Sequence, residues 1–317
     1  MSINTLATAT LFQNTLDKVA IQEAVTGWMD ANAGQVIYNG GAEVKIPKIS
    51  VQGMGDYDRD SGYVQGGVTL EYETRRMTQD RGRKFQLDPI DINENNFVTT
   101  AATVMGEFQR TFVVPEIDAY RISKIASETI TANKAGMISY GYTPGATGTS
   151  ALRKFKEGIK ATREMGYNGP LICHATPEFI MELELELAGK IMNTTFSKGG
   201  IDTTVPSVDG VPIISTAPNR MYTAITIYDG KTSGQEIGGY VKGATAKNLN
   251  FMILPMTTPI AITKQDIMRI FDPTVNQKLN AWQMDYRRFH DLWILDNKLN
   301  SVYLDIKDSN STGGGEG

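Results

Sequence analysis

Hydrophobic positions change their period several times along this chain, and each change marks an element. From Thr10 to Met29, Phe12, Leu16, Ala20, Ala24 and Trp28 recur every fourth position with Asp17, Lys18 and Glu23 off that line. This predicts an amphipathic N-terminal helix. A second apolar line, Ile21, Val25 and Met29, widens its face and implies contact on two sides, with its own domain or a neighbour. Between residues 31 and 90 the period falls to two: Gln35 to Tyr38 and Glu43 to Ser50 are strand-like, a turn-forming tip spans Met54 to Tyr63, and Val68 to Asp88 reads as one long polar strand. Val44, Ile46 and Ile49, and then Val68, Leu70 and Tyr72, roughly alternate with polar residues, as in a two-stranded ribbon. A ribbon of this length with so few large apolar side chains is marginal alone in water. It is expected to lean on another chain or domain.

Helical spacing returns at Asn96. Phe97, Ala101, Met105, Phe108 and Phe112 draw one stripe, and Pro115 interrupts it. Pro115-Glu116-Ile117-Asp118 has the features of a fresh helix start, with proline in the first turn and carboxylates at the positive end of the dipole. The pattern predicts a helix, a break near Val113 and Val114, and a second long helix continuing through Ala119, Ile122, Ala126 and Ile130. Residues 134–149 are Gly/Thr/Ser-rich and mark a boundary. Beyond it Ser150 is an N-cap for a helix with Leu152, Phe155, Ile159, Thr162 and Met165 on one face and Gly166 at its end. Leu171 to His174 is a short buried strand, and Thr176-Pro177-Glu178 opens a helix to about Leu187. From Thr203 onwards strands dominate: Val211 to Ser215, Tyr222 to Tyr228, Phe251 to Met256, Ile260 to Thr263 and Trp282 to Tyr286. Asp296-Asn297-Lys298 is expected to turn the last of these back through Ser301 to Leu304, before a disordered Ser/Gly-rich tail, Asp308 to Gly317.

The 317 residues, 41% of them hydrophobic, suffice for one large domain or two ordinary ones. A single cysteine, Cys173, forms no internal disulfide, and with only His174 and His290 beside it no thiolate/imidazole zinc cluster can be built. A reducing compartment fits this usage. A net charge of −4 argues against a dedicated nucleic-acid binder. No signal peptide and no membrane-crossing window are expected. Cys173 and His174, adjacent on a strand, point to opposite faces and cannot pair as nucleophile and base; His290 and Asp291 diverge in the same way. Asp56, Asp58 and Asp60 superficially resemble an alternating carboxylate loop for calcium. Counted from Asp56, however, Ser61 stands at the central glycine position and Gly67 at that of the bidentate glutamate, so a solvated or intersubunit loop is expected. No phosphate-binding glycine motif and no GxSxG occur. The basic run Arg75, Arg76, Arg81, Arg83 and Lys84 lies on the expected ribbon and is read as a surface that meets carboxylates of another chain.

Ordered blocks then carry a resemblance. Gly82-Arg83-Lys84-Phe85-Gln86-Leu87-Asp88 with Asp91-Ile92-Asn93-Glu94, then Met105 to Arg110, Val114 to Arg121, Asp285 to Asp291 and Leu295-Asp296-Asn297, resemble major capsid proteins of tailed bacteriophages of the Hong Kong 97 type, over most of the chain. The resemblance implies an α+β Hong Kong 97-like capsid fold. Its parts would be an N-arm (1–34), an extended β-ribbon loop with flanking strands (35–95), a peripheral domain with the long spine helix (96–134 and 261–307), an axial domain (135–260) and the tail (308–317). It further implies self-association into pentamers and hexamers of an icosahedral virion shell, assembled first as a procapsid in the host bacterial cytoplasm. The shell encloses double-stranded DNA without sequence-specific binding, aided by a separate scaffolding protein and a portal. No catalytic residue, cofactor or metal is expected, and no membrane contact. Asp56, Asp58, Asp60, Arg75, Arg76, Arg81, Arg83 and Lys84 are the candidate intersubunit contacts. Lys45, Lys48 and Lys84 lie on or near the loop, but nothing singles one out for a covalent cross-link. An encapsulin-type nanocompartment shares the implied fold, and a cytosolic α/β hydrolase using Cys173 or His290 is the reading from another class.

Overall fold

The computed structural model describes residues 24–38, 40–41, 43–87, 97–187, 192–198, 201–271 and 281–310. The N-terminal helix expected over Thr10 to Met29 lies outside these residues up to Glu23. Its described end is not α-helical, since Gly27–Gln35 forms a 3-10 helix with Trp28 and Met29 buried. Three strands follow: β1 (Ile37–Tyr38), β2 (Glu43–Val51) and β3 (Val68–Arg76), ordered β1-β2-β3. The second half of the expected long strand is a separate one, β4 (Gln79–Leu87). Met77 is buried, and the backbone N–H and hydroxyl of Thr78 both donate to the buried carboxylate of Asp291, each at 2.9 Å. Those bonds turn the chain out of the ribbon.

Helix α1 (Phe97–Phe108), one π-helical turn (Gln109–Val113) and α2 (Val114–Ala132) then form one continuous helical run. The break expected at Val113 and Val114 is therefore absent. Proline removes one backbone donor and crowds the carbonyl four residues earlier, and a locally widened turn accommodates both without ending the helix. Asn133 ends α2 in the left-handed conformation, φ 43°, with its N–H returning to Thr129 O.

The remaining elements are β5 (Ile138–Tyr140), α3 (Ala151–Glu164), β6 (Leu171–Ala175), α4 (Pro177–Leu187), β7 (Met192–Lys198), β8 (Ile201–Val208), β9 (Val211–Ser215), β10 (Ile225–Ile227), β11 (Tyr240–Lys242), β12 (Leu249–Pro255), β13 (Pro259–Phe271), β14 (Trp282–Ile294), α5 (Asp296–Leu299) and β15 (Tyr303–Ile306). Ser150 caps α3, its hydroxyl accepting from Arg153 N at 3.2 Å. A seven-stranded sheet runs β5-β15-β12-β6-β9-β8-β7, and β13-β14-β4 form a separate antiparallel sheet. The expected turn from β14 back into Ser301–Leu304 does not pair those strands: β15 lies against β12 and β5. Asp296–Leu299 is a helical turn, and it carries the chain from one sheet to the other.

The central strands β15, β12 and β6 of the seven-stranded sheet are buried on both faces, which explains their continuous apolar runs. On β12, Phe251 and Ile253 pack with Phe155 of α3 and Phe179 of α4, whereas Met252 and Leu254 pack with Ile122 and Ile125 of α2 and with Trp28 and Met29. Gly158 records how closely α3 approaches: a β-carbon there would stand 2.8 Å from Tyr303 Cδ1 and 2.9 Å from Ile253 Cδ1. Glycine to alanine within a helix ordinarily gains about 1 kcal/mol. Here overpacking, at roughly 1–3 kcal/mol, outweighs that gain. Gly158→Ala is expected to lower the urea midpoint; a raised midpoint would show that the two faces part freely.

Candidate functional site

Helix α2 carries charge into the interior. Asp118 is fully buried, and its carboxylate accepts from Val25 N (3.1 Å), Thr26 N (3.0 Å), Thr26 Oγ1 (2.5 Å) and Arg220 Nη1 (2.8 Å). One turn on, the buried Arg121 donates to Thr26 O at 2.9 Å and grips Asp30 with two bonds of 2.8 and 3.0 Å. A further turn brings Lys124 to within 2.5 Å of Asp291 on β14, where Tyr120 also donates at 2.6 Å. Burial alone would raise the Asp291 carboxyl, but the Lys124 ammonium and the hydrogen bonds from Lys124, Tyr120 and Leu292 N hold it below its ordinary value. These contacts join the end of the N-terminal segment, β14 and the Pro218–Arg220 turn to one helix. Sequence reading missed them, although Asp118, Arg121 and Lys124 at intervals of three beside an apolar stripe were a visible signal.

The residues weighed for catalysis are all interior. Cys173 is buried, and burial pushes its thiol well above the ordinary range, so it stays protonated. His174, on a central strand of the sheet, accepts from Trp28 Nε1 at 3.2 Å and meets Thr216 Oγ1 at 3.2 Å. His290 packs edge-on against Tyr120. Burial, then the cations Arg288, Arg121, Lys124 and Arg81, hold its ring neutral, well below the usual imidazole range. Asp291 is given over to Lys124, Tyr120 and Thr78, so it does not orient His290.

The ribbon is different, because among the described residues nothing covers its outer part. Directly opposed residues share a face. Pro47 faces Tyr72, Ile49 faces Leu70 and Val51 faces Val68, which makes one apolar surface. Near the base, on the other face, Val44 and Ile46 are buried against Met77, Ile260 and Trp293. Further out, Ile49, Val51, Val68, Leu70 and Tyr72 are 53–73% exposed. The base is tied down by Lys48, 2.7 Å from both Glu73 and Asp296. At the tip, Asp58 bridges to Gly62, and its carboxylate accepts from Asp60 N (3.0 Å) and Ser61 Oγ (2.7 Å).

The basic run is not one surface. Arg75, on the ribbon, pairs with Glu73 of its own strand at 2.5 Å. Arg81, on β4, makes a two-bond pair with Glu116 of α2 at 2.7 and 3.1 Å, so its guanidinium is engaged within the chain. Among the described residues Arg83 donates to the carbonyl of Glu236, at 3.2 Å. Among the described residues Arg76, Lys84, Asp56 and Asp60 make no ion pair.

A long helix over a mixed sheet, a second three-stranded sheet and a protruding ribbon make up the fold of the Hong Kong 97-type capsid proteins of tailed phages. Solved structures with the same architecture include the capsid of the Cyanophage P-SCSP1u, with 9% identity, 86% of this chain and 84% of that one covered, and a TM-score of 0.55. The mature capsid of bacteriophage PhiM1 shares 11% identity over 85% of this chain and 83% of that one, TM-score 0.54. A structure from Mycobacterium phage Cain shares 9% identity over 90% and 91%, TM-score 0.53. No family model matches the sequence. None of the curated proteins matches it either. At these identities the likeness lies in the fold.

His290 generates a pH dependence with a definite sign. Its folded pKa is depressed, so between about pH 6.5 and that lower value only the unfolded chain binds the proton. The stability it contributes is complete above about pH 6.5 and is lost as pH falls through that window, whereas Asp291 acts lower, below about pH 4. Urea unfolding is expected to weaken from about pH 7 to about pH 5 in the parent protein and to weaken less in His290→Gln. Equal slopes in the two proteins would refute the assignment.

Proposed function

We propose that this chain is the major capsid protein of a tailed bacteriophage, a structural subunit that self-associates into the icosahedral head shell around double-stranded DNA. The observation that carries this reading is the ribbon's uncovered apolar face. Burying one Val, Leu or Ile side chain is worth roughly 1.5–3 kcal/mol, and here several stand in water on an arm whose base is fixed by ion pairs. A second copy is the economical cover, because identical subunits in closed symmetry each offer and receive the same contact. The fold shared with phage capsids supports the reading.

The proposal keeps the division into N-arm (1–34), extended loop (35–95), peripheral domain (96–134 and 261–307) and axial domain (135–260). It places the protein in the virion, assembled with a scaffolding protein and a portal. Arg76, Lys84, Asp56 and Asp60 are its first candidates for contacts between subunits, since their charges are free of intrachain ion pairs among the described residues. A net charge of −4 suits a wall that encloses DNA without gripping it.

Electron microscopy of the purified protein, alone and with a candidate scaffold, should show closed shells, and nuclease-protected DNA in shells from infected cells would distinguish a phage head from a protein-filled compartment. The variant Ile49→Asp with Leu70→Asp removes about 3 kcal/mol or more of contact per subunit, a hundredfold or greater loss of assembly. Both side chains are exposed in the single subunit, so its melting temperature should change little. Normal shells from this variant would sink the proposal.

A further inference from the structure

A cavity of about 250 Å³ lies between β4, β14, the π-helical turn and the loop over residues 228–239. Its floor is aromatic: Phe108 meets Phe85 edge-on at 5.0 Å and Tyr286 edge-on at 5.9 Å. Arg83 stands in its wall, and no carboxylate of its own chain pairs with that guanidinium among the described residues. Phe112 and Ile237, also in the wall, are 41% and 76% exposed. Small-molecule sites run to roughly 300–1,000 Å³. This one is smaller and suits a single large side chain.

The ribbon tip carries the complement. The Asp58–Gly62 bridge closes a turn in which Gly62 adopts φ 82°, a conformation glycine takes without strain. That turn holds Tyr63 against Tyr57, ring centroids 4.9 Å apart, while leaving Tyr63 89% exposed. Asp58 is used up in the turn, but Asp56 and Asp60 are free of ion pairs among the described residues. An exposed tyrosine flanked by carboxylates free of ion pairs among the described residues is the kind of anchor that dominates interfaces, where Tyr and Arg in desolvated pockets contribute most of the energy. Among the described residues nothing covers Tyr63, and a second copy carries the aromatic cavity that matches it.

Resting on the shell reading above, we propose that Tyr63 of one subunit seats in the aromatic cavity of its neighbour, with Asp56 and Asp60 brought against that neighbour's Arg83. The seat gives the ribbon a defined end point, whereas the apolar face along its length sets only that it be covered. Charge complementarity at the rim fixes the register.

Engineered cysteines test the contact in the assembled protein, because the native Cys173 is buried and does not compete. Val64→Cys combined with Ile237→Cys leaves Tyr63 in place and puts one thiol beside the anchor and one at the cavity mouth. Disulfides form only where the two α-carbons approach to within about 7 Å. Mild oxidation of assembled particles is expected to give covalent multimers on non-reducing gels, with neither single variant doing so. Particles that form without such multimers overturn the docking and leave the shell reading intact. A parent protein that forms no particles under any condition overturns both. As a second measure, Tyr63→Ser should raise the concentration needed for assembly tenfold or more. Arg83→Asp should do likewise and be partly rescued by Asp60→Arg, and failure of that rescue alongside a normal Tyr63→Ser also overturns the docking.

Discussion

A carboxylate with no exposure to water persists only when its charge and its lone pairs are satisfied, and Asp118 sets that requirement at the centre of this molecule. Two backbone N–H groups, one hydroxyl and one guanidinium meet it, from the N-terminal segment and from the Pro218–Arg220 turn. Asp291 repeats the arrangement on β14 with Lys124, Tyr120 and Thr78. The long helix thus organises the fold by charge as well as by its apolar stripe. The chain segments it holds lie about ninety to 171 residues from it in sequence.

From this fixed centre the ribbon projects with a sharp change in character. Val44 and Ile46 are part of a core, and Lys48 ties the strand to Glu73 and Asp296. Beyond Lys48 the same two strands bury nothing. A hairpin whose outer half lacks a hydrophobic partner is not stable by its own packing, so its rigid attachment and its unmet apolar face belong together. The first lets the second be presented in one direction. The aromatic cavity beside β4 is the converse feature, a concave surface that no side chain among the described residues fills.

Much of this was legible in the sequence where one period governed a segment. The run of Phe251 to Met256 announced a strand, and Ser150 with Gly166 bounded a helix almost to the residue. The ribbon was legible as well, down to the inference that it needs a partner. The continuation of Val68 into Asp88 was misread, because nothing local distinguishes β3 from β4: the separation comes from Asp291, more than two hundred residues away. Pro115 was misread in the opposite direction. Its local effect is to break a helix, and packing of α1 and α2 along one line overrode that effect through a π-helical turn. Arg81 and Arg83 looked like neighbours on one basic surface, yet Glu116 engages the first and leaves the second facing a cavity.

By itself the sequence determined most of the elements, the alternation that makes one ribbon face apolar, and the class of fold its ordered blocks resemble. These follow from local periodicity and composition, which every short window carries. The tertiary structure alone decided which charges are paired, which hydrophobic side chains are left in water, and where a cavity opens between β4, β14 and the helix. Those are long-range outcomes, set by which buried groups must satisfy one another, and a linear pattern holds no record of that pairing until the chain is folded.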